Sequence, residues 1–338
     1  MATRVSLLVS TTFLACGPTI MPEAIEADTS GGRELTTTDV EPMTSSSSVP
    51  EATTTSLPPT SDPVSSSTST TVTPDSSSSH GSESTTTGPA GCDAVDVLLV
   101  FEGGLLGTGL LARAATDAFA EAVVDAFPGK SVHVGVITGR EYVPPGTTEC
   151  IGLGDFVTWG DFGTCSLSNG LRFATDEDDL VEAITCLTAI EWAGEGYSRP
   201  IGGIIRALSQ ENAAPGACNE GFLREDAVLG IFIVNSSFPI ENTPDEAHPD
   251  TDTSEWYDAI AAVKGGDVSA ISMFGFVAIE PFDCYEQGGS EATNFVELID
   301  AFGGERRSFC QDSVADFEAG FIAGVEQLAA TCEAYDGP

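Results

Sequence analysis

Hydrophobic positions are arranged in three different ways along the 338 residues of this chain. Residues 1–15 hold one base, Arg4, and then a short apolar stretch running through Leu7, Leu8, Val9, Phe13 and Leu14. Residues 16–91 show no period at all. From Cys92 onward, runs that are apolar at nearly every position alternate with stretches in which apolar residues recur every three or four positions. Residues 95–101, Val-Asp-Val-Leu-Leu-Val-Phe, are expected to form a buried strand. Residues 110–127 put Leu111, Ala115, Ala118, Phe119, Ala122, Val123 and Ala126 on one helical face and are stopped by Pro128 and Gly129. The same reasoning predicts strands at 132–138, 227–234 and 268–279, with a short edge strand at 307–310. Helices are expected at 178–191, 200–209, 256–263, 291–302 and 312–330, and residues 139–174 form a Cys-bearing insertion.

Strands that are apolar without alternation must be covered on both faces, and helices between them supply the cover. The expected class is therefore α/β, a doubly wound, mostly parallel sheet flanked by helices. In such sheets ligands collect beyond the carboxyl ends of the strands. That rule directs attention to residues 102–109, 138–141 and 235–238.

The stretch in residues 1–15 is too short to cross a hydrocarbon core of about 30 Å and reads as a secretory signal. Phe13-Leu14-Ala15-Cys16-Gly17 resembles the bacterial lipobox, with Phe13 where that motif usually has Leu. The resemblance implies that Cys16 is acylated and becomes the first mature residue, holding the chain to a membrane by lipid alone. Residues 16–91 are rich in Ser, Thr, Pro and acid, as in Ser45–Ser48 and Ser76–Ser79, and have almost nothing to bury. Such a segment cannot recover its ordering entropy and is expected to be a disordered stalk with a mean reach of about 50 Å. The expected organisation is thus a signal peptide (1–15), a stalk (16–91) and one folded domain (92–338), on the cell envelope of a Gram-negative-type bacterium.

Charge narrows the partners. The formal net charge is -40, and residues 92–338 alone hold forty-two acids against ten bases. A field of that sign repels nucleic acid and anionic lipid headgroups. The expected partner is an extracellular or periplasmic protein or glycan. Nine cysteines are present, and setting Cys16 aside leaves eight, an even number suited to an oxidising compartment. Spacing does not choose among the pairings. The expected set is Cys92 with Cys332 at the domain ends, Cys150 with Cys165 inside the insertion, Cys284 with Cys310 across a helix, and Cys186 with Cys218 as the remainder.

Ala94-Val95-Asp96-Val97-Leu98-Leu99-Val100-Phe101 at the domain start, together with the order of elements, resembles the von Willebrand factor A family. The stretch Gly221-Phe222-Leu223-Arg224, leading into the strand at 227–234, is similar to the anchored bacterial lipoproteins of that family, as is Ala301-Phe302-Gly303-Gly304 with a Cys soon after. The resemblance implies a metal-ion-dependent adhesion site made from Asp-x-Ser-x-Ser after the first strand, a Thr on a later loop and an Asp after the fourth strand. Here those positions fall on Glu102, Gly104, Leu106, Ser198 and Asn235. Mg²⁺ needs hard oxygen donors in near-octahedral geometry, and Gly104 and Leu106 offer no side-chain oxygen. The implied site is degenerate, and no cofactor is expected; Mg²⁺ or Ca²⁺ is the alternative.

Other motifs carry less. Gly103, Gly104, Gly107 and Gly109 lie between a strand and a helix, but a dinucleotide fingerprint would start at Glu102, and a carboxylate there repels a pyrophosphate. Asp250 and Asp252 stand at alternate positions as in calcium loops, without the glycine and glutamate such loops require. The loop at 236–253, with Phe238 and Ile240, is a candidate recognition loop. A hydrolase would have to use His248 with Ser236 or Ser237, and no enzyme is expected. The leading expectation is a non-enzymatic, surface-tethered binding or adhesion protein. A cation-dependent adhesin, an exported hydrolase and a structural envelope component stand beside it.

Overall fold

The computed structural model describes residues 91–102, 108–141, 148–160, 163–190, 198–235, 253–280 and 292–337. These contain β1 (Ala94–Phe101), α1 (Thr108–Ala114), α2 (Thr116–Ala126), β2 (Ser131–Thr138), β3 (Trp159–Gly160), β4 (Gly163–Thr164), β5 (Ala174–Thr175) and α3 (Leu180–Thr188). There follow α4 (Pro200–Ala207), α5 (Gln210–Ala213), β6 (Val228–Val234), α6 (Thr253–Ala262), β7 (Ile271–Val277), α7 (Thr293–Ala301), β8 (Glu305–Ser308) and α8 (Val314–Ala334). Six strands form one sheet in the order β5-β2-β1-β6-β7-β8, parallel except for the two-residue β5. The α/β, doubly wound class is as expected.

Alternation along the central strands explains the two helical layers. Val95, Val97, Leu99 and Phe101 of β1 join the core beneath α1, α2, α3 and α8, whereas Leu98 and Val100 join the core beneath α4, α6 and α7. Burying both faces of so many Val, Ile, Leu and Phe side chains contributes roughly 1.5–3 kcal/mol each. The first layer is tied by aromatic contacts, Phe119 lying 5.0 Å from Phe232 and 5.3 Å from Phe321. Helix α8 comes close enough to the sheet that a Cβ on Gly324 would sit 2.7 Å from the rings of Phe232 and Phe274. Only glycine fits at that crossing.

Several boundaries differ from expectation, each for a local reason. The helix expected at 110–127 is two helices, because the buried Thr116 hydroxyl donates to the Arg113 carbonyl and the chain turns at Ala115. The start of the strand expected at 268–279 is a 3-10 turn, with Asp267 accepting from the Ser269 amide. The edge strand lies at Glu305–Ser308 rather than 307–310. Within the insertion, β5 pairs antiparallel with β2 through His133–Thr175 and Val134–Ala174, a pairing too short to read from periodicity.

The disulfides correct two expectations. Cys92 is joined to Cys332, closing the domain ends as expected. Cys150, however, is joined to Cys218, and Cys165 to Cys186. The pairs Cys150–Cys165 and Cys186–Cys218 are therefore wrong. Sequence proximity inside the insertion misled, because the insertion is pinned at two separate places: one end to the chain before β6, the other to α3. Cys310 is disulfide-bonded, and Cys284, expected as its partner, lies outside the described residues.

One buried polar cluster stands out beneath the sheet. Asp96, in the middle of an otherwise apolar β1, is fully buried. It accepts from the Arg224 backbone N–H at 2.8 Å and from Arg224 Nε at 2.8 Å, while Lys264 Nζ lies 3.7 Å away and His133 Nδ1 3.6 Å away. Arg224 also donates to the Val95 carbonyl at 2.8 Å and to Ser131 Oγ at 2.7 Å. Lys264 Nζ donates to the Arg224 carbonyl at 2.5 Å. Burial pushes the Asp96 carboxyl up, and Arg224 and Lys264 pull against that shift; burial likewise lowers Lys264. Removing one member of such a buried pair leaves a bare charge and costs about 3–5 kcal/mol. Arg224→Met is expected to lose about that much in chemical denaturation, with much of the loss recovered only when the whole cluster is made apolar, in Asp96→Leu/Arg224→Met/Lys264→Met; a loss below about 1 kcal/mol in Arg224→Met would show the pair to be unimportant to stability.

His133 adds a pH term. Burial lowers its pKa below the usual 6.5, opposed by its bond to the Phe222 carbonyl at 2.8 Å and by Asp96 and Asp176, and reinforced by Arg224. A folded value below the unfolded one means that the unfolded chain takes up the proton first, so this contribution to stability is lost as pH falls below about 6.5. Thermal denaturation from pH 7.5 to 5 is expected to show the wild type falling relative to His133→Gln, with the gap opening below that value. Parallel profiles would mean that His133 does not couple to folding.

Candidate functional site at the carboxyl rim of the sheet

Parallel strands place all their carboxyl ends on one side, and there the central positions meet. Phe101 of β1 is in register with Val234 of β6 and Thr138 of β2. The next residues on the three strands are Glu102, Asn235 and Gly139. Their backbones are held by the ladder: Glu102 N–H donates to Val234 O at 2.9 Å, Asn235 N–H to Phe276 O at 2.9 Å and Gly139 N–H to Phe101 O at 2.8 Å.

Ser198 reaches the same rim from the start of α4. The Arg199 amide donates to Gly139 O at 2.5 Å, and a Cβ on Gly139 would meet Ser198 Oγ at 2.6 Å. Glycine at 139 is thus what lets the serine lie against the strand end. Pro200 begins α4 with no amide hydrogen to satisfy and a φ preset for a helix. Glu102, Ser198 and Asn235 are 6%, 2% and 1% exposed. Ser198 Oγ has no hydrogen-bond partner among the described residues, an arrangement that costs stability and is rare in folded proteins.

The structure therefore brings together Glu102, Asn235 and Ser198 of the sequence-derived site. Gly104 and Leu106 lie outside the described residues, as do Cys16, Phe238, Ile240, Asp250 and Asp252. The oxygens that the rim supplies from the five implied metal positions are one carboxylate, one amide and one hydroxyl. With no side-chain oxygen at Gly104 or Leu106, this donor set does not fit a near-octahedral Mg²⁺ cage. Among the described residues no group of three or more His, Cys, Asp or Glu side chains could hold a metal ion. His133, the described histidine, is committed to Phe222 and Asp96 at the far end of the sheet. What the rim brings together is one carboxylate, one hydroxyl and one amide, all recessed.

Sequence reasoning missed two features. One is Gly139, whose role appears only when α4 folds back on β2. The other is the Asp96–Arg224 cluster, which had a readable signal: a lone aspartate inside an apolar strand requires a cation partner.

The six-stranded mixed sheet is consistent with a von Willebrand A-like fold. No family model matches the chain, and no curated protein matches it. Among solved structures the chain is similar to the pilus adhesin SpaC from Lactobacillus rhamnosus GG in its open conformation, at 15% identity and a TM-score of 0.38, over 71% of this chain and 30% of that one. It is also similar to the human COPII-coat protein Sec24c, at 13% identity and a TM-score of 0.32, over 68% of this chain and 31% of that one. The chain spans less than a third of either protein. Neither likeness bears on the chemistry of the rim.

Proposed function

We propose that this chain is a non-enzymatic binding lipoprotein, held to the cell envelope through Cys16 and presenting its A-like domain on the 16–91 stalk to an extracellular or periplasmic protein or glycan. Binding takes place at the rim of the sheet and needs no metal. The observation that carries this reading is the donor set: Glu102 and Asn235 at the ends of paired strands and Ser198 against Gly139, with Gly104 and Leu106 where further oxygens would be needed. Three disulfides between described cysteines support export to an oxidising compartment. No helix among the described residues is long and apolar enough to cross a membrane, and the anchor invoked here is the lipid alone. The segment 236–253, with Phe238, Ile240, Asp250 and Asp252, would set which partner is chosen.

A photoreactive residue in the full chain on intact cells tests this. Placed at Glu141, exposed two residues beyond Gly139, it is expected to give an adduct that survives EDTA. At Glu225, exposed at the opposite end of the sheet, it is expected to give none. An adduct that EDTA abolishes would favour a cation-dependent adhesin, and equal labelling from both positions would remove the rim from the account.

A further inference from the structure

The disulfides whose two cysteines both lie among the described residues differ in their surroundings. Cys92 and Cys332 are buried, and Cys165, bonded to Cys186 of α3, is buried too. Cys150–Cys218 is the pair in which neither residue is buried, and its chain neighbours Thr148, Glu149, Gly216 and Glu220 are exposed. A thiolate arriving from solvent reaches this bond more readily than the other two.

A second observation lies in the backbone. Cys150 has a φ of 54°, in the left-handed region that L side chains rarely adopt. The other described non-glycine residue there is Asn169, a residue type that tolerates the region through local hydrogen bonds; cysteine has no such relief. A residue stays in that state only where its surroundings hold it. Cys150 is held by its bond to Cys218 and by Arg172 Nη2, which donates to its carbonyl at 3.1 Å. Opening the disulfide therefore releases strain that the other two pairs do not carry.

The chain just beyond does not need the sulfur bond. Asn219 is buried; its Oδ1 accepts from the Phe156 N–H at 3.1 Å, and its Nδ2 donates to Gly154 O at 2.9 Å and Ala207 O at 3.1 Å. Asn212 Nδ2 adds a bond to Asp155 Oδ1 at 3.2 Å. Gly154 lies so close to α4 that a Cβ there would meet Gly203 O at 2.7 Å. Residues 154–156 are thus fixed to α4 and to the 212–219 segment without the disulfide. What Cys150–Cys218 adds is the hold on residues 148–151.

We infer that Cys150–Cys218 is a thiol-exchange site, opened by a dithiol reductant without loss of the fold, and that its redox state sets where the connection leaving the rim at Gly139 is anchored. A thiolate of the dithiol attacks one sulfur, forming a mixed disulfide and releasing the other cysteine as a thiolate. The second thiol of the reductant then displaces the remaining cysteine. Two electrons and two protons pass to the protein, and the reductant departs as its own disulfide. Once free to leave the left-handed region, Cys150 turns its carbonyl from Arg172. The anchor then moves to Gly152, whose N–H donates to Asp155 Oδ2 at 2.8 Å. This holds whether or not the rim binds a partner.

The test is a graded incubation of the folded full chain, with free thiols blocked beforehand, in mixtures of reduced and oxidised dithiothreitol, followed by acid quench, alkylation and peptide mapping. Cys150 and Cys218 are expected to label together, at a reduced-to-oxidised ratio about tenfold or more below that needed for Cys92, Cys332, Cys165 or Cys186, a difference of about 30 mV. At that ratio amide exchange is expected to rise about tenfold or more at residues 148–151 and to stay unchanged in β1 and β6. Cys150→Ser/Cys218→Ser is expected to show the same exchange pattern with no reductant present. Labelling of these cysteines at one common ratio, or of another pair first, would overturn the inference. So would exchange that rises throughout the sheet in the reduced chain or in the double variant, because the bond would then brace the whole domain.

Discussion

A parallel sheet buried on both faces has no freedom about where its strands end. Every crossover helix returns the chain to the same edge, so β1, β2, β6, β7 and β8 all finish at one rim. That constraint decides which residues can act together. Glu102 and Asn235 lie 133 positions apart in the chain, yet become neighbours because β1 and β6 are paired in register. Ser198 joins them because α4 starts at that edge and Gly139 leaves it room. The two helical layers, with their aromatic contacts and the glycine crossing of α8, cover both faces of the sheet that ends at this edge.

The opposite edge bears a different load. Asp96 places a full charge inside the sheet, and Arg224, Lys264 and His133 surround it. Buried ion pairs seldom add net stability over an apolar replacement, so the consequence of the cluster is positional. Through its side chain and backbone, Arg224 fixes the segment that enters β6, and the register of β6 in turn fixes Asn235 at the rim. Cys150–Cys218 restrains the same approach from outside. Among the described carboxylates Asp96 is the one fully buried, and it is paired with Arg224.

Much of this was legible in the sequence because apolar runs report burial directly. Val95–Phe101 and Ala227–Val234 could hardly be anything but inner strands, and the rim position of Glu102 and Asn235 follows from their ends. What was not legible depends on contacts between distant segments. The pairing of Cys165 with Cys186 requires knowing that the insertion folds onto α3. The break between α1 and α2 arises from one hydroxyl, Thr116, competing for a carbonyl. Gly139 reads in the sequence as one more loop glycine and acquires a role only against Ser198. The Asp96 cluster was half visible, since its aspartate interrupts an apolar strand while its partners lie far along the chain.

The central claim is that the rim works without a metal. It is tested most directly by titrating Mg²⁺ into the EDTA-stripped full chain at constant ionic strength while following the amide resonances of Glu102, Gly139, Arg199 and Asn235. The expected result is a drift no larger than that produced by Na⁺. A saturating one-to-one shift confined to those four residues would contradict the account.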